Sequence, residues 1–391
     1  MEKTERLFDK NSYGDEFGAT VLECVKNKDG KFEIALDRTY FFPEEGGQTS
    51  DTGTLENINV SHVYEKEGII YHVCDGELCP GKTVRGKIRF ESRYRKMQNH
   101  TGEHIVSGLV NKKYGYDNVG FHLSEHDMTI DFSGELDREQ LDEIETLANR
   151  VVYSCIPVKA FYPEKSELKT LEYRSKIDLE DMVRIVEIGE VDRCACCAPH
   201  VGNTGEIGII KLLDFMRYKG GVRIHARCGM DALEDYRNKY REIYTVSNLL
   251  SSKQGEISCA VNRLLDSLGA QKSEILSLKR ELMRLKSQSI GLTEGNICLF
   301  ETEKDMNVIR ELVNNLVKKC GGMCAVFSEN GNDGYQYIIA SENVDMKQKS
   351  AEINLRLNGK GGGSKEMIRG SCKCAKEDIL RYFDAENEII R

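Results

Sequence analysis

The chain has 391 residues, long for one domain and enough for two or three, each with a core of useful size. With 40% hydrophobic and 30% charged residues, no Trp and five Pro, its composition is that of an ordinary globular protein and excludes a fibrous or disordered one. A net charge of −9 argues against binding nucleic acid through a globally basic surface, though a local patch suffices for a polyanion. No apolar run approaches the roughly 18 residues that cross a bilayer. The opening MEKTERLFDK lacks the basic-then-apolar order of a secretory leader, so a cytoplasmic protein without a membrane partner is expected. In that compartment the 14 Cys should mostly be thiols.

Residues 18–90 alternate apolar and polar positions in short runs broken by turns, which predicts a small β-barrel or meander. A helix follows near 93–114, then a strand at 128–134 (MTIDFSG). A second helix carries Leu136, Leu141, Ile144, Leu147 and Val151 at helical spacing. Further strands are expected at 156–162, 182–188, 206–213 and 221–226, an α+β pattern with helices and strands in separate runs. From about 233 to 290 the pattern is helical, and Ile257, Val261, Leu264, Leu268, Ile275, Leu278, Leu282 and Leu285 form a stripe that needs a partner. That partner is a second copy, giving a homodimer, or the preceding helix in an antiparallel hairpin. A last α/β segment reads as a strand at 297–301, a helix at 306–320, strands at 324–328 and 335–341, and a helix at 345–358.

Lys82, Arg85, Lys87, Arg89, Arg93, Arg95 and Lys96 crowd one stretch with Glu91 as its only acid. They suit a phosphate track, or simply a solvated strand face running into a helix. Chemistry concentrates elsewhere. In NHTGEHIVSGLV, His100 and His104 are four apart, so a helix projects both from one face, one turn separated, as a shared metal requires. Nearly a hundred residues later CACCAPHV repeats the spacing with Cys196 and His200. Three imidazoles and a thiolate suit tetrahedral Zn²⁺, and two remote pairs of soft ligands are not expected from core packing. Cys194 and Cys197 are near enough to compete as the thiolate.

These motifs resemble a known family. HTGEH, CCAPH continuing into VGNTGEIGIIK, and the upstream PEEGGQTSDTG are similar to the editing domain of alanyl-tRNA synthetase and to its free-standing relatives, the AlaX alanyl-tRNA editing proteins. The likeness runs from the N-terminal strands to about residue 229, and LNGKGGGSKEMIRGSC further on resembles the synthetase's C-terminal domain, which points to the long AlaX form. The resemblance implies a β-barrel over 1–90, a zinc-dependent α+β editing domain over 91–230, a helical hairpin or coiled-coil linker over 231–290, and a C-terminal α/β domain over 291–391 that binds tRNA or dimerises. It implies one zinc on His100, His104, Cys196 and His200, acting in the deacylation of Ser-tRNA(Ala), with Gly-tRNA(Ala) a further substrate to consider. One departure stands out: the family usually has Gly-Thr before the last His, and here Ala198-Pro199 removes a hydroxyl and a backbone N–H beside the metal.

An aminoacyl ester is already activated, so a positioned water and a place for negative charge on the carbonyl oxygen suffice. In the loop 43–53, Gly46 and Gly47 allow backbone conformations closed to other residues and Gln48 offers an amide to the substrate, unless the loop is only a tight turn between strands. Lys360, Gly361, Gly362, Gly363 and Lys365 form a segment through which backbone N–H groups and ammonium ions approach the phosphates of tRNA, chiefly tRNA(Ala), or else a plain surface loop. His122 and His126 are expected to divide between pocket wall and solvent, and Arg223, His225 and Arg227 to share one strand face that tRNA could touch. Two rivals stand beside the first reading: editing of Ser-tRNA(Thr), and a non-catalytic zinc-stabilised RNA binder. A full synthetase does not fit, because editing-domain text begins within about 40 residues of Met1.

Overall fold

The computed structural model describes residues 2–125, 127–168, 170–175, 183–331 and 334–383. The chain forms two compact units, Met1–Tyr244 and Thr245–Arg391. Both are mixed α and β. In the first, six strands close into a barrel in the order Glu16–Lys26, Phe32–Leu36, Ile69–Cys74, Ile58–Lys66, Gly53–Leu55 and Thr83–Ile88. The cause is period-two patterning: along Thr83–Ile88 every second residue is buried and the others are exposed. Phe17, Val21, Ile34, Leu36, Phe41, Leu55, Val63 and Ile70 fill the interior. Gly86 pairs with Phe17, and a Cβ there would lie 2.4 Å from the Phe17 ring, so the glycine makes room for the aromatic.

The helix Phe90–Tyr114 leaves the barrel and stops at Gly115, whose left-handed conformation (φ 71°) turns its N–H onto the Asn111 carbonyl. It packs with the helix Arg138–Tyr153 on an antiparallel sheet ordered Ile210–Tyr218, Gly221–Cys228, Met128–Phe132, Asn118–Leu123. The second helix starts with a reciprocal capping box between Asp137 and Gln140. A separate sheet of Val158–Phe161, Ile185–Ile188 and Asp192–Ala195 carries the cysteine-rich turn at its end. One expectation needs correction, and one strand was not expected. The strand placed at 206–213 is a 3-10 turn, Thr204–Ile207, followed by a strand that starts at Ile210, because Gly205 and Gly208 break the first half. Asn118–Leu123 is a strand that NVGFHL does not announce, since its burial does not alternate. Met182 and His126 lie outside the described residues.

The basic stretch is not one exposed track. Arg85 and Lys87 both bind Glu16, Arg95 binds Asp231 and Glu234, and Lys96 is buried with its ammonium on the carbonyls of Ser50 (2.6 Å) and Thr49 (3.2 Å). Arg93 is fully buried: its guanidinium grips Asp51, itself 3% exposed, and donates to the Tyr40 carbonyl at 2.6 Å. Asp51 in turn accepts from the Phe42 N–H at 2.8 Å. Both charges are thus paired and the barrel loop is bolted to the helix that follows.

In the second unit a five-stranded sheet runs Ile297–Glu301, Cys324–Glu329, Tyr335–Ala340, Met367–Cys372, Gly359–Gly363, with the first pair parallel and the rest antiparallel. The segment read as a glycine-rich loop is therefore an edge strand. Its glycines have a packing reason, for a Cβ at Gly361 or Gly370 would lie 2.3 or 2.5 Å from the Tyr337 hydroxyl, which crosses between them to reach Asn354. The helix Ile257–Ser289 docks on the helix Met306–Leu316 through Leu276 and Met283. Val261, Leu264, Leu268, Ile275, Leu278, Leu282 and Leu285 of the apolar stripe are all exposed, so the face that packs within this unit is a different one.

Removing one partner of the Arg93–Asp51 pair leaves the other charge buried and uncompensated. Asp51→Ala is expected to destabilise the protein by about 3–5 kcal/mol in urea unfolding. Glu16→Ala, which frees the exposed Arg85 and Lys87, should leave the urea unfolding midpoint close to that of wild type, since exposed ion pairs are screened by solvent.

Candidate metal centre

His100 and His104 project from one face of the helix Phe90–Tyr114, as their spacing requires, with ring centroids 5.4 Å apart. Cys196 and His200 arrive from the turn after strand Asp192–Ala195. Arg184 shapes that turn: its guanidinium donates to the carbonyls of Cys196 (3.0 Å) and Ala198 (2.8 Å), and its own carbonyl accepts from the Cys196 N–H. Ala198 is fully buried against the barrel core. The four ligand atoms of His100, His104, Cys196 and His200 all lie within 4.8 Å of one another. Cys196 Sγ is 3.6 Å from His100 Nε2 and 3.3 Å from His200 Nε2. A tetrahedral zinc with bonds of roughly 2.0–2.3 Å sets its ligand atoms roughly 3.3–3.7 Å apart, so these separations fit.

Each imidazole is committed at its other nitrogen. His100 Nδ1 meets Gln48 Oε1 at 2.8 Å, His104 Nδ1 meets Asp192 Oδ2 at 2.9 Å, and His200 Nδ1 meets Thr101 Oγ1 at 3.0 Å. Thr101 donates its own hydroxyl proton to the Met97 carbonyl at 2.8 Å, so toward His200 it can only accept. Nδ1 therefore carries the proton, and the Nε2 lone pair is turned inward to the common point. A carboxylate or carbonyl behind a ligating imidazole fixes its tautomer and raises its basicity. Asp192 is itself held by Arg174 at 2.7 and 2.9 Å, and His104 with Arg174 brings its carboxyl down to about 2 against the opposing effect of burial.

The same electrostatics single out one thiol. Burial pushes Cys196 up, yet His100, His200 and His104 outweigh it and bring the thiol well below its ordinary value. Burial raises Cys194, and burial with the neighbouring Cys196 charge raises Cys197. His104 stands above its usual value because Asp192 and Cys196 overcome the effect of burial. Burial takes His200 down to about 3, so it is neutral and ready to ligate. Cys194 belongs to a second group with His104 and Asp192, but Arg174 already occupies that carboxylate. The donor set of Cys196 and three imidazoles is the one that fits zinc.

The loop 43–53 reaches this centre from the barrel. Gly46 and Gly47 are both left-handed (φ 62° and 83°), and a Cβ on Gly47 would lie 2.3 Å from the Phe121 carbonyl oxygen. That close approach lets Gly47 and Thr49 exchange hydrogen bonds with Leu123, at 2.7 and 3.0 Å. Gln48 is thereby fully buried beside His100, and its amide nitrogen has no hydrogen-bond partner among the described residues. A buried unpaired donor costs about 1–3 kcal/mol, which an incoming acceptor would recover. A cavity of about 530 Å³ lies one helical turn before His100, with Arg89, Lys96, Asn99, Leu123 and Arg227 in its wall and none of the four ligands. On the neighbouring strand face the basic side chains have acidic partners: Arg223 meets Asp131, His225 meets Asp127, and Arg227 meets Asp235. His122, on the strand Asn118–Leu123, is exposed.

Lys360, Gly362, Gly363 and Lys365 are exposed in the second unit, and Gly361 is half-buried beneath Tyr337. The sequence pattern reaches the four metal-facing residues and Gln48. It does not reach Thr101, Asp192, Arg174 or Arg184, because a residue acting behind a ligand carries no spacing signal of its own.

A metal-competent centre built between a barrel and an α+β layer defines a class that comparison with known proteins identifies. Residues 183–225 match the model of the threonyl and alanyl tRNA synthetase second additional domain. Alanyl-tRNA editing protein AlaX-L of Pyrococcus horikoshii is 30% identical, over 99% of this chain and 98% of its own. Alanine--tRNA ligase of Methanococcus maripaludis is 29% identical over 97% of this chain, which spans only 43% of the ligase. A solved C-Ala domain from Aquifex aeolicus alanyl-tRNA synthetase covers 23% of this chain and 86% of that chain, at 21% identity and a TM-score of 0.20, too low a likeness to bear on the fold. The chain belongs to the alanyl-tRNA editing protein family, and with it to the aminoacyl-tRNA hydrolases.

Purified protein is expected to bind one zinc per chain, measured by atomic emission. Cys196→Ser and His104→Ala should lose it, while Cys194→Ala and Cys197→Ser keep it. Asp192→Asn should weaken zinc affinity about 10–100-fold in chelator competition.

Proposed function

We propose that the protein is a trans-editing hydrolase that deacylates Ser-tRNA(Ala), and Gly-tRNA(Ala) more weakly, with a zinc held by His100, His104, Cys196 and His200. The observation that carries this reading is the convergence of those four side chains beside Gln48, whose buried amide lacks an acceptor. When bound, zinc supplies Lewis-acid polarisation of the ester or anchors the substrate. The side chains do the rest. Gln48 fixes His100 through its carbonyl and offers its amide N–H to the ester carbonyl or the serine hydroxyl, and Phe121, 4.7 Å from the His100 ring, walls the same space. A site that hydrogen-bonds a hydroxyl leaves its own groups unpaired when alanine enters, so the correct product is spared.

Ala198-Pro199 agrees with this division of labour, since the turn serves the metal through its carbonyls and Arg184. In this reading the segments 1–90, 91–230, 231–290 and 291–391 divide as barrel, editing layer, helical connector and tRNA-binding domain. Lys360, Gly361, Gly362, Gly363 and Lys365 present an exposed sheet edge and two ammonium groups to the tRNA(Ala) backbone. The exposed leucine stripe of Ile257–Ser289 is the seam of a homodimer, and the setting is cytoplasmic, where charged tRNA is used.

Single-turnover assays are expected to show Ser-tRNA(Ala) hydrolysed at least about 100-fold faster than Ala-tRNA(Ala). Ser-tRNA(Thr) as the better substrate would replace this reading by its threonyl counterpart, and tRNA binding with no turnover would leave only a zinc-stabilised RNA binder. Gln48→Leu should cost about 10²–10³-fold in rate, the effect of removing one preorganised donor, with zinc still bound.

A further inference from the structure

The two histidines of the first ligand pair enclose a third ionisable residue that the site as described does not use. Glu103 precedes His104 on the same helix and is 3% exposed. On a helix with 100° per residue, His100 and His104 lie about 40° apart and Glu103 about 80° from their midline. A Glu placed directly after the first His, as in His-Glu-x-x-His zinc peptidases, stands at the same angle on the other side of that midline, where it serves as general base. The His-x-x-Glu-His order found here is the mirror arrangement, and it too is used on zinc helices.

The side-chain geometry agrees. Glu103 Oε1 accepts from the Ser107 hydroxyl at 2.5 Å and from the Asn118 amide. Asn118 is also tied to Ser107 at 3.0 Å, so a triangle of short contacts clamps the carboxylate. Oε2 lies 3.9 Å from His104 Nε2, the nitrogen that faces the metal point and not the one bound by Asp192. Glu103 thus extends to the inner side of the centre, while Asp192 acts behind it.

Resting on the hydrolase reading above, we propose that Glu103 is the general base of the reaction, a catalytic residue that touches the attacking water. A water O–H proton passes to the Glu103 carboxylate as the water oxygen bonds to the ester carbonyl carbon. The bond from that carbon to the ribose oxygen then breaks, and the ribose oxygen takes the proton back from Glu103. The free amino acid and the ribose hydroxyl of the tRNA result, one water is consumed, and Glu103 is returned as the carboxylate. Ser107 and Asn118 hold the carboxylate in place and are positioning residues.

Glu103→Gln keeps the size and an oxygen for Ser107 and Asn118 but cannot take the proton. In the full chain loaded with zinc, its single-turnover rate on Ser-tRNA(Ala) should fall at least about 100-fold, the ordinary worth of a general base. Zinc content, resistance to chelator, tRNA affinity and melting temperature should match wild type. Ser107→Ala, which removes a hydrogen bond but not the carboxylate, should stay within about tenfold. A Glu103→Gln rate within about threefold of active wild type overturns the proposal, as does a rate loss that tracks loss of zinc. If Glu103→Gln does not fold, Glu103→Asp carries the test: zinc-loaded and folded, it should be at least about tenfold slower, and a rate within about threefold again overturns the assignment. Wild type inactive on every aminoacyl-tRNA would instead sink the hydrolase reading itself.

Discussion

Three imidazoles can aim lone pairs at one point only if each carries its proton on the far side, and the structure meets this requirement with three different acceptors. Gln48, Asp192 and Thr101 come respectively from the barrel loop, the three-stranded sheet and the ligand helix itself. The tautomers of the centre are therefore a product of the whole first unit. A shift of the barrel against the helix would move Gln48, and with it the ring of His100.

The scaffold is built to prevent that shift. The fully buried Arg93 binds Asp51 at one end of the glycine-rich loop, and Lys96 binds the carbonyls of Thr49 and Ser50 next to it. His100 is the next residue one turn along the helix after Lys96. Two cations drawn from a stretch that looks like a phosphate track thus hold the loop that positions the first ligand. Burying them demands partners, and the partners supplied are backbone carbonyls and one carboxylate, so polar groups in this interior are paired where it matters for geometry. Beside His100 the Gln48 amide nitrogen departs from this: with Arg6 Nε and Asp9 Oδ1 it is one of three buried side-chain polar atoms that lack a hydrogen-bond partner among the described residues.

Much of this was legible in the residues. The 3.6-residue period of the helix put His100 and His104 on one face, and the same spacing recurred in Cys196 and His200, so the ligand set could be named without coordinates. The spacing named Cys196 but left Cys194 and Cys197 as competitors, because that choice depends on which sulfur the turn brings within 3.3 Å of His200. The glycine run at 359–363 misled for a physical reason: glycine marks both loops and strands over which a large ring must pass, and Tyr337 lies 22 residues or more away in sequence. The leucine stripe of Ile257–Ser289 reads equally well as core or as an exposed seam, and periodicity alone does not distinguish them.

The central claim is that one sulfur and three nitrogens share a single ion. X-ray absorption at the zinc edge of the purified protein tests it directly. The account predicts one sulfur at about 2.3 Å and three nitrogens at about 2.0–2.1 Å. A shell with two sulfurs would move the thiolates to Cys194 or Cys197, and a shell of oxygen and nitrogen without sulfur would contradict the centre as built.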